Sequence, residues 1–510
     1  MKIDSSSISR LSIGFVGVIV GMIIIIESIL SRTSILGQLY LYVAIAAFLL
    51  GLFSPRTAIF ALIFCTGYID LFKRLMVIAG QPTYFDVACA LATPPLLCAG
   101  SMINLILSYV MRRISLTKDL MISFVFASGI LAVAVFASGG GGGTRDFGGL
   151  VNVAAYPFLL VLVPVNFPTI EDKKKLIKFI YIIFIGVAIY MIKHAYFGLA
   201  DFEYDYLLTN LSQEVRILVE GENMRCFSTM NGAAIVSIMC SLMVFWSFIN
   251  VWKRTFFWRF IRLLLALLFG SAAYLTLSRT GWICGITGIV CYLLFRSWRT
   301  TVAAYAIGIA SIICLVAFSP LIKDMQIVER GELELRALFK TDDSRARQTM
   351  TLGSINGRLT GWVNLMTKKN MWTPFGWKFA GKDVKLFDAV DLGDDIIFWS
   401  VIRYGYVAVF VGLVVMLTFL YKLHRSVCNL PRATEERKIA NISLATSVGI
   451  IFGGMSNAAQ LGVFPVNIYF YLCLSFVYSI YIQRKEYTRE RSAVPAPAIN
   501  RPIQSLEQQA

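Results

Sequence analysis

Apolar runs of about 20 residues recur along almost the whole chain, and this is the length that a helix needs to cross a membrane. Apolar side chains make up 57% of the chain and charged ones only 15%, whereas a soluble domain carries about 25% charged residues. Most of the protein surface therefore needs an apolar solvent. The sequence predicts an all-α, polytopic bundle of about fourteen transmembrane helices, within a range of about 12–14. The runs lie at residues 11–30, 35–53, 57–72, 84–110, 119–138, 149–167, 176–195, 230–251, 261–277, 281–296, 301–320, 396–420, 441–459 and 463–482.

Some of these segments have unusual features. The run at 57–72 is short, and the run at 84–110 is long and contains Pro94 and Pro95, which predicts a broken or tilted helix. The first run has no small-residue cleavage site after it, so we expect a retained span. From about residue 484 the chain is polar, which predicts a disordered tail over 484–510.

The net charge of +17 comes from short basic clusters between apolar runs, not from one basic domain. This pattern encodes membrane topology and does not indicate nucleic-acid binding. Nearly every second loop is basic, which predicts that those loops and both termini are cytoplasmic. Lys73 and Arg74 lie on the opposite side in this arrangement. The segments predicted at the outer face are 139–148, 196–229, 278–280 and the largest loop, 321–395.

Arginines are frequent at the predicted outer face. Arg225 precedes the span that opens near Asn231, and Arg279 lies in a very short turn between two spans. An arginine near the membrane usually has an anionic partner. An interfacial arginine followed by a helix N-cap at Asn231 is the alternative for Arg225. The long loop adds arginines suited to bidentate binding of phosphate: Arg330, Arg336, Arg345, Arg347 and Arg358.

Aromatic and acidic residues accompany these arginines. Trp362 lies one helical turn after Arg358, and Trp372 follows; both could bind sugar rings or anchor the membrane interface. Asp394 and Asp395 precede a span and could act as a base, ligate a metal, or cap a helix. His194 lies at the outer end of its span, where an interfacial role is expected.

The order and spacing of these motifs resemble the O-antigen polymerase and ligase superfamily, and the resemblance covers residues 225–415. The resemblance implies a GT-C-like helical bundle with one large periplasmic loop in the bacterial inner membrane. Asp394 and Asp395 stand where the ligases carry His-Asn, and Arg403 stands at a further acidic position, so the resemblance is closer to polymerases. The matching positions are Arg225 with Met230-Asn231, Ser278-Arg279, Arg358 with Trp362, Pro374 to Gly376, and Asp394-Asp395 leading to Gly405.

The resemblance implies a polymerase that transfers glycan between undecaprenyl-pyrophosphate carriers with inversion and without a metal or cofactor. Arg225, Arg279 and Arg358 would stabilise the leaving pyrophosphate, and Asp394 or Asp395 would act as the base. Trp362, Trp372, Arg345 and Arg347 would bind substrate. Partners would be the lipid-linked donor and acceptor, the bilayer, and a chain-length regulator or export complex.

Two alternative functions stay open at this point. A ligase would move the finished glycan to lipid A core, and a transporter would move the lipid-linked oligosaccharide across the membrane. A transporter is expected to carry charges deep within several spans, and Glu27 is the only clear example here. The implied division is 1–224 for N-terminal helices, 225–420 for the catalytic core, 421–483 for C-terminal helices and 484–510 for the tail.

Overall fold

The computed structural model describes residues 27, 31, 33–138, 154–209, 211, 219–220, 223–224, 226–248, 255–276, 278–296, 373–375, 401, 405–431, 434–454 and 464–493. These residues are helical apart from loops and one hairpin of two-residue strands, β1 (Val219–Glu220) and β2 (Asn223–Met224). The α-helices are α1 (Ile35–Phe53), α2 (Pro55–Leu75), α3 (Tyr84–Val110), α4 (Lys118–Ser138), α5 (Leu159–Asn166), α6 (Ile170–Phe197), α7 (Asp201–Leu208), α8 (Ala233–Phe248), α9 (Phe256–Leu275), α10 (Arg279–Arg296), α11 (Tyr406–Cys428), α12 (Glu435–Gly454) and α13 (Val466–Ala493). Short 3₁₀ turns follow α2 (Met76–Ala79) and precede α5 (Tyr156–Phe158).

Six helices in the described part of the chain are long and apolar enough to cross a membrane: α1, α3, α6, α9, α11 and the first 20 residues of α13. Helices α8 and α10 are also apolar but shorter. The protein is therefore a helical, membrane-embedded protein, as the composition predicts. The count of about fourteen spans and the GT-C-like arrangement stay predictions.

Close helix packing depends on small residues where two backbones meet. A Cβ added at Gly100 of α3 would lie 2.1 Å from the carbonyl oxygen of Phe48 in α1. A Cβ added at Gly281 of α10 would lie 2.3 Å from the backbone of Ser237 in α8, and one at Gly449 of α12 would lie 2.7 Å from the carbonyl oxygen of Cys284. Small residues let membrane helices approach closely enough for extensive van der Waals contact. The pair α1–α3 and the group α8–α10–α12 are built in this way.

The contacts between helix termini lie at two opposite ends of the bundle. At the first, which we call the Arg74 end, the last turn of α2 contacts α7 through Arg74 and Glu203 and contacts the segment before α8 through Lys73 and Asn231. The first turns of α1 and α3 meet near the same end, where the Ser34 amide donates to Asp86 Oδ1 over 2.8 Å.

The opposite terminus of the bundle is the Lys485 end. There Lys485 of α13 binds Asp119 in the first turn of α4, with Nζ 2.7 Å from both carboxylate oxygens. Arg56 in the first turn of α2 binds Asp172 in the first turn of α6, and Lys174 of α6 binds Glu435 of α12. The first turns of α2, α4, α6 and α12 thus lie at the Lys485 end.

The structure corrects two of the predicted boundaries and excludes a break in the run at 84–110. The short run at 57–72 is the 21-residue helix α2, because Lys73 and Arg74 are paired inside the protein and do not form a loop. The run at 84–110 is one unbroken helix, α3, with Pro94 and Pro95 inside it. Neighbouring helices can compensate the hydrogen bonds that proline removes. Helix α13 continues to Ala493, so the first ten residues of the predicted tail at 484–510 are helical.

Candidate functional site

The segment 226–231 at the Arg74 end is fixed by hydrogen bonds with two helices, α2 and α6. This segment directly follows Arg225, and Cys226 to Met230 are fully buried. Thr229 Oγ1 donates to the carbonyl of Gly67 in α2 over 2.5 Å, and Ser228 Oγ donates to the carbonyl of Val187 in α6 over 2.6 Å. The segment is therefore an interior element and not an exposed interfacial loop.

Ser228 has a left-handed backbone conformation, with φ of 54°. For a residue with a Cβ this conformation costs about 1–2 kcal/mol. Such a conformation persists only where the surroundings determine it, and it occurs preferentially at functional sites. Here Arg74 Nη1 donates to the Ser228 carbonyl over 2.6 Å. The strained turn and its fixed carbonyls make this segment the strongest candidate site in the described part of the chain.

Arg74 links the segment to a buried carboxylate. Its guanidinium also donates to the Met230 carbonyl, lies 4.3 Å from the Phe227 ring centroid, and contacts Glu203 Oε1 at 3.0 Å. Both the Arg74 and Glu203 side chains are almost entirely buried. A planar guanidinium can make these contacts at once because its donors lie in a fixed fork.

Glu203 also holds His194. His194 Nε2 lies 2.8 Å from Glu203 Oε2, and because an ionised carboxylate can only accept, this nitrogen carries the proton. The Ala200 amide donates to the same oxygen over 3.1 Å, and Lys193 Nζ lies 3.6 Å from it. The Glu203 carboxylate is therefore fully engaged, and α7 is tied to the last turn of α6.

The environment keeps Glu203 charged. Burial raises the pKa of its carboxyl, but the hydrogen bond from His194 and the charge of Arg74 outweigh this and bring the pKa to about 2, below the ordinary 4.5. Because its pKa is lower in the folded state than in the unfolded state, the ionised Glu203 carboxylate stabilises the folded protein. This stabilisation is fully present above pH 4.5 and is lost as the pH falls towards 2. The pair with Arg74 is thus fully formed at neutral pH.

Lys73 forms a second contact between α2 and the segment. Its Nζ donates to Asn231 Oδ1 over 2.8 Å and to Asp70 Oδ1 over 3.1 Å, and it lies 5.6 Å from the Tyr206 ring centroid. Lys73 and Arg74 therefore have buried partners, which explains why they depart from the alternation of basic loops. We call Asp70, Lys73, Arg74, His194 and Glu203 the ion-pair cluster.

The second predicted arginine begins α10 at the adjacent helix pair. Ser237 Oγ in the second turn of α8 donates to the carbonyl of Ser278 over 2.9 Å, so the start of α10 is fixed against the start of α8. Arg279 is the first residue of α10. The chain positions next to Arg225 and at Arg279 thus lie at the same end of the α8–α10 pair.

Most of the predicted site residues lie outside the described residues. Near them, the Tyr406 amide donates to the Thr373 carbonyl over 3.1 Å, which ties the residues after Trp372 to the start of α11. In the described part of the chain no group of three His, Cys, Asp or Glu side chains is placed to hold a metal ion. The predicted residues outside the description are Arg225, Arg345, Arg347, Arg358, Trp362, Trp372, Asp394 and Asp395.

The sequence prediction missed the ion-pair cluster. Two signals were available: Lys73 and Arg74 violated the charge alternation, and His194 is one of only two histidines. The predicted interfacial role for His194 is wrong, because its side chain is fully buried against Glu203. Glu203 had no signal of its own, since its partner Arg74 lies 129 positions away in the sequence.

Comparison with protein-family models, with curated proteins and with solved structures finds no match to this chain. The function is therefore inferred from the motifs and from the geometry of the Arg74 end.

Proposed function

We propose that the protein is a polysaccharide polymerase of the bacterial inner membrane. It extends O-antigen or exopolysaccharide by transferring glycan from undecaprenyl pyrophosphate to a second lipid-linked repeat unit. The Arg74 end faces the periplasm in this proposal, and both chain termini are cytoplasmic. The bundle has about fourteen spans and is GT-C-like.

The observation that carries this proposal is the placement of the segments around two of the arginines. The residues after Arg225 and the start of α10 at Arg279 are each fixed by buried hydrogen bonds at the same end of the bundle. A pyrophosphate leaving group needs several positive donors that are already held in place. The rigid surroundings of these two positions support such a role, and Arg358 in the long loop is the proposed third donor.

The reaction is an inverting displacement at C1 of the first donor sugar. The acceptor hydroxyl forms the new C1–O bond, the bond to the pyrophosphate oxygen breaks, and the electron pair leaves with the lipid pyrophosphate. Asp394 or Asp395 takes the hydroxyl proton. Because arginine supplies the positive charge, the proposal needs no metal or cofactor.

Substrate binding is assigned to the remaining residues of the long loop. Trp362 and Trp372 stack on sugar faces, and Arg345 and Arg347 bind phosphate oxygens bidentately. The growing chain, the acceptor repeat unit and a length regulator or export complex are the proposed partners.

The distribution of buried charge favours this function over transport. A transporter for a charged substrate is expected to carry ionisable groups through the middle of several spans. In the described residues, the buried Asp, Glu, Lys, Arg and His side chains occur in the first turn or the last two turns of their helices or in the short helix α7. They are Asp70, Lys73, Arg74, Asp86, Asp172, Lys173, His194, Glu203 and Arg437.

The arginine assignment is tested by three single variants in the producing cell. We expect Arg225→Ala, Arg279→Ala and Arg358→Ala each to lose long-chain polysaccharide, because removing one such donor slows a reaction by about 10²–10³. Arg113→Ala is the matched control, since Arg113 is exposed in a loop between α3 and α4 at the Lys485 end. Normal chain length in all three variants at normal protein levels would reject the assignment. Chain extension that persists while transfer to lipid A core is lost would identify a ligase.

A further inference from the structure

A basic cavity lies at the Lys485 end, between the last two turns of α11 and α13. Its volume is about 330 Å³, within the range that small ligands occupy. The cavity is open to the outside, and its lining contains no acidic residue among those that the structure describes. The lining residues are Lys422, Arg425, Ser426, Asn429, Tyr481, Arg484 and Lys485.

The charge around this cavity suits an anion with several acceptor oxygens. Four of its seven lining residues are Lys or Arg, and Ser426 and Asn429 add neutral donors. The carboxylate of Asp119 lies beside the cavity and binds Lys485. The positive charge of the lining therefore exceeds the negative charge next to it.

An apolar stripe on α11 leads directly to the cavity. Phe410, Val414, Leu417 and Tyr421 follow each other at helical spacing and are 45–67% exposed. Arg425 continues the same stripe one turn later. From Phe410 to Tyr421 the stripe spans about 16 Å at 1.5 Å per residue. That is about half of the 30 Å hydrocarbon core of a bilayer, the thickness of one leaflet.

We propose that this cavity and stripe form a binding site for an anionic phospholipid. The phosphate of the headgroup occupies the basic cavity, and an acyl chain lies along the stripe of α11. A soluble phosphate would contact only the cavity. A phospholipid would contact the cavity with its headgroup and the apolar stripe with an acyl chain, so the stripe favours a lipid as the ligand. The site lies at the end of the bundle opposite to the ion-pair cluster and does not depend on the proposed polymerase activity.

The test measures lipid binding by the purified full-length protein in a neutral detergent. We compare the wild type with Lys422→Gln/Arg425→Gln, whose two positions are both exposed, so the variant is expected to fold. Arg113→Gln/Lys118→Gln removes the same charge from exposed positions near the same end and is the control. Phosphatidylglycerol, phosphatidylcholine and inorganic phosphate are added separately. The readouts are the thermal unfolding midpoint and the number of bound lipids by native mass spectrometry.

We expect phosphatidylglycerol to raise the thermal unfolding midpoint of the wild type and of the control by several degrees. In Lys422→Gln/Arg425→Gln most of this increase should be absent. Phosphatidylcholine and inorganic phosphate should have little effect. An equal response of all three proteins to phosphatidylglycerol, or an equal response to phosphatidylcholine, would overturn the proposal. A full response to inorganic phosphate would show that the ligand is a soluble anion. If the double variant does not fold, Lys422→Gln alone must show a reduced count of bound phosphatidylglycerol.

Discussion

Arg74 shows how one side chain can hold a functional segment in place. It contacts two carbonyls of the segment 226–231 and a carboxylate from α7, and all of these groups are buried. A buried carboxylate that loses its cation is left uncompensated, whereas loss of an exposed ion pair costs little. We therefore expect the Arg74–Glu203 pair to matter more than any ion pair on the surface of the described helices.

We expect Arg74→Met to lower the free energy of unfolding by about 3–5 kcal/mol, because Glu203 then stays buried without its main cation. Arg74→Met/Glu203→Gln should recover part of this loss, since no unpaired charge remains. The control is Lys175→Met, whose exposed side chain lies 4.0 Å from Asp172, with an expected loss of less than about 1 kcal/mol. Detergent-based thermal or denaturant unfolding measures all three. Equal effects of Arg74→Met and Lys175→Met would contradict the account of the ion-pair cluster.

The helices α8 and α10 bring the segment that follows Arg225 and the chain position of Arg279 to the same end of the bundle. Their contact requires that residue 281 has no side chain, because a Cβ there would lie within 2.3 Å of Ser237 backbone atoms. The start of α10 depends on the same contact through the hydrogen bond from Ser237 to Ser278. Packing and placement of Arg279 are therefore coupled.

Gly281→Val should separate α8 from α10 and destabilise the protein by about 1–3 kcal/mol or more, as overpacking of a core does. Gly412→Val is the matched control, because a Cβ at Gly412 of α11 meets no other atom within 4 Å. The unfolding midpoint and the yield of monodisperse protein report the effect. A Gly281→Val protein as stable as Gly412→Val would show that the two helices do not pack as described.

Hydropathy predicted the bounds of a helix correctly where polar residues clearly delimit the apolar run. The run at 84–110 coincides with α3, because Thr83 and Asp86 form a capping box at its start. The predicted run at 57–72 was too short, because Lys73 and Arg74 were interpreted as loop residues although both are paired with buried carboxylates, those of Asp70 and Glu203. Lys73, Arg74 and His194 each stood out in the sequence, but their pairing with Glu203 could not be predicted, because the members come from α2, α6 and α7 and one sequence does not reveal contacts between distant residues.

At the scale of the whole molecule, the two ends of the bundle differ in the way they use charge. The Arg74 end buries its ion pairs around a strained segment, and the Lys485 end exposes basic side chains around a cavity. Basic loops face the cytoplasm in membrane proteins, because the positive-inside bias sets orientation. We therefore expect the Lys485 end to be cytoplasmic.

This orientation can be measured by cysteine labelling in intact cells. Two variants are compared, Gln81→Cys and Arg113→Cys. Gln81 lies in the exposed loop after α2 at the Arg74 end, and Arg113 lies in the exposed loop after α3 at the opposite end. Both are made with the exposed Cys428 changed to Ser. A membrane-impermeant thiol reagent should label Gln81→Cys with the outer membrane permeabilised and should label Arg113→Cys only after the inner membrane is broken. The reverse pattern would place the ion-pair cluster in the cytoplasm and remove the proposed site from the periplasm.

The central claim, that the protein joins lipid-linked repeat units, is tested most directly with purified protein and a defined undecaprenyl-pyrophosphate-linked repeat unit in detergent, without added metal. We expect products of two and more repeats, with release of undecaprenyl pyrophosphate, from the wild type and from Arg113→Ala. Arg225→Ala and Arg279→Ala should slow product formation by about 10²–10³. The claim would be contradicted by a folded wild-type protein that binds the substrate but forms no product of more than one repeat unit, whether or not lipid A core is added as the acceptor of a ligase.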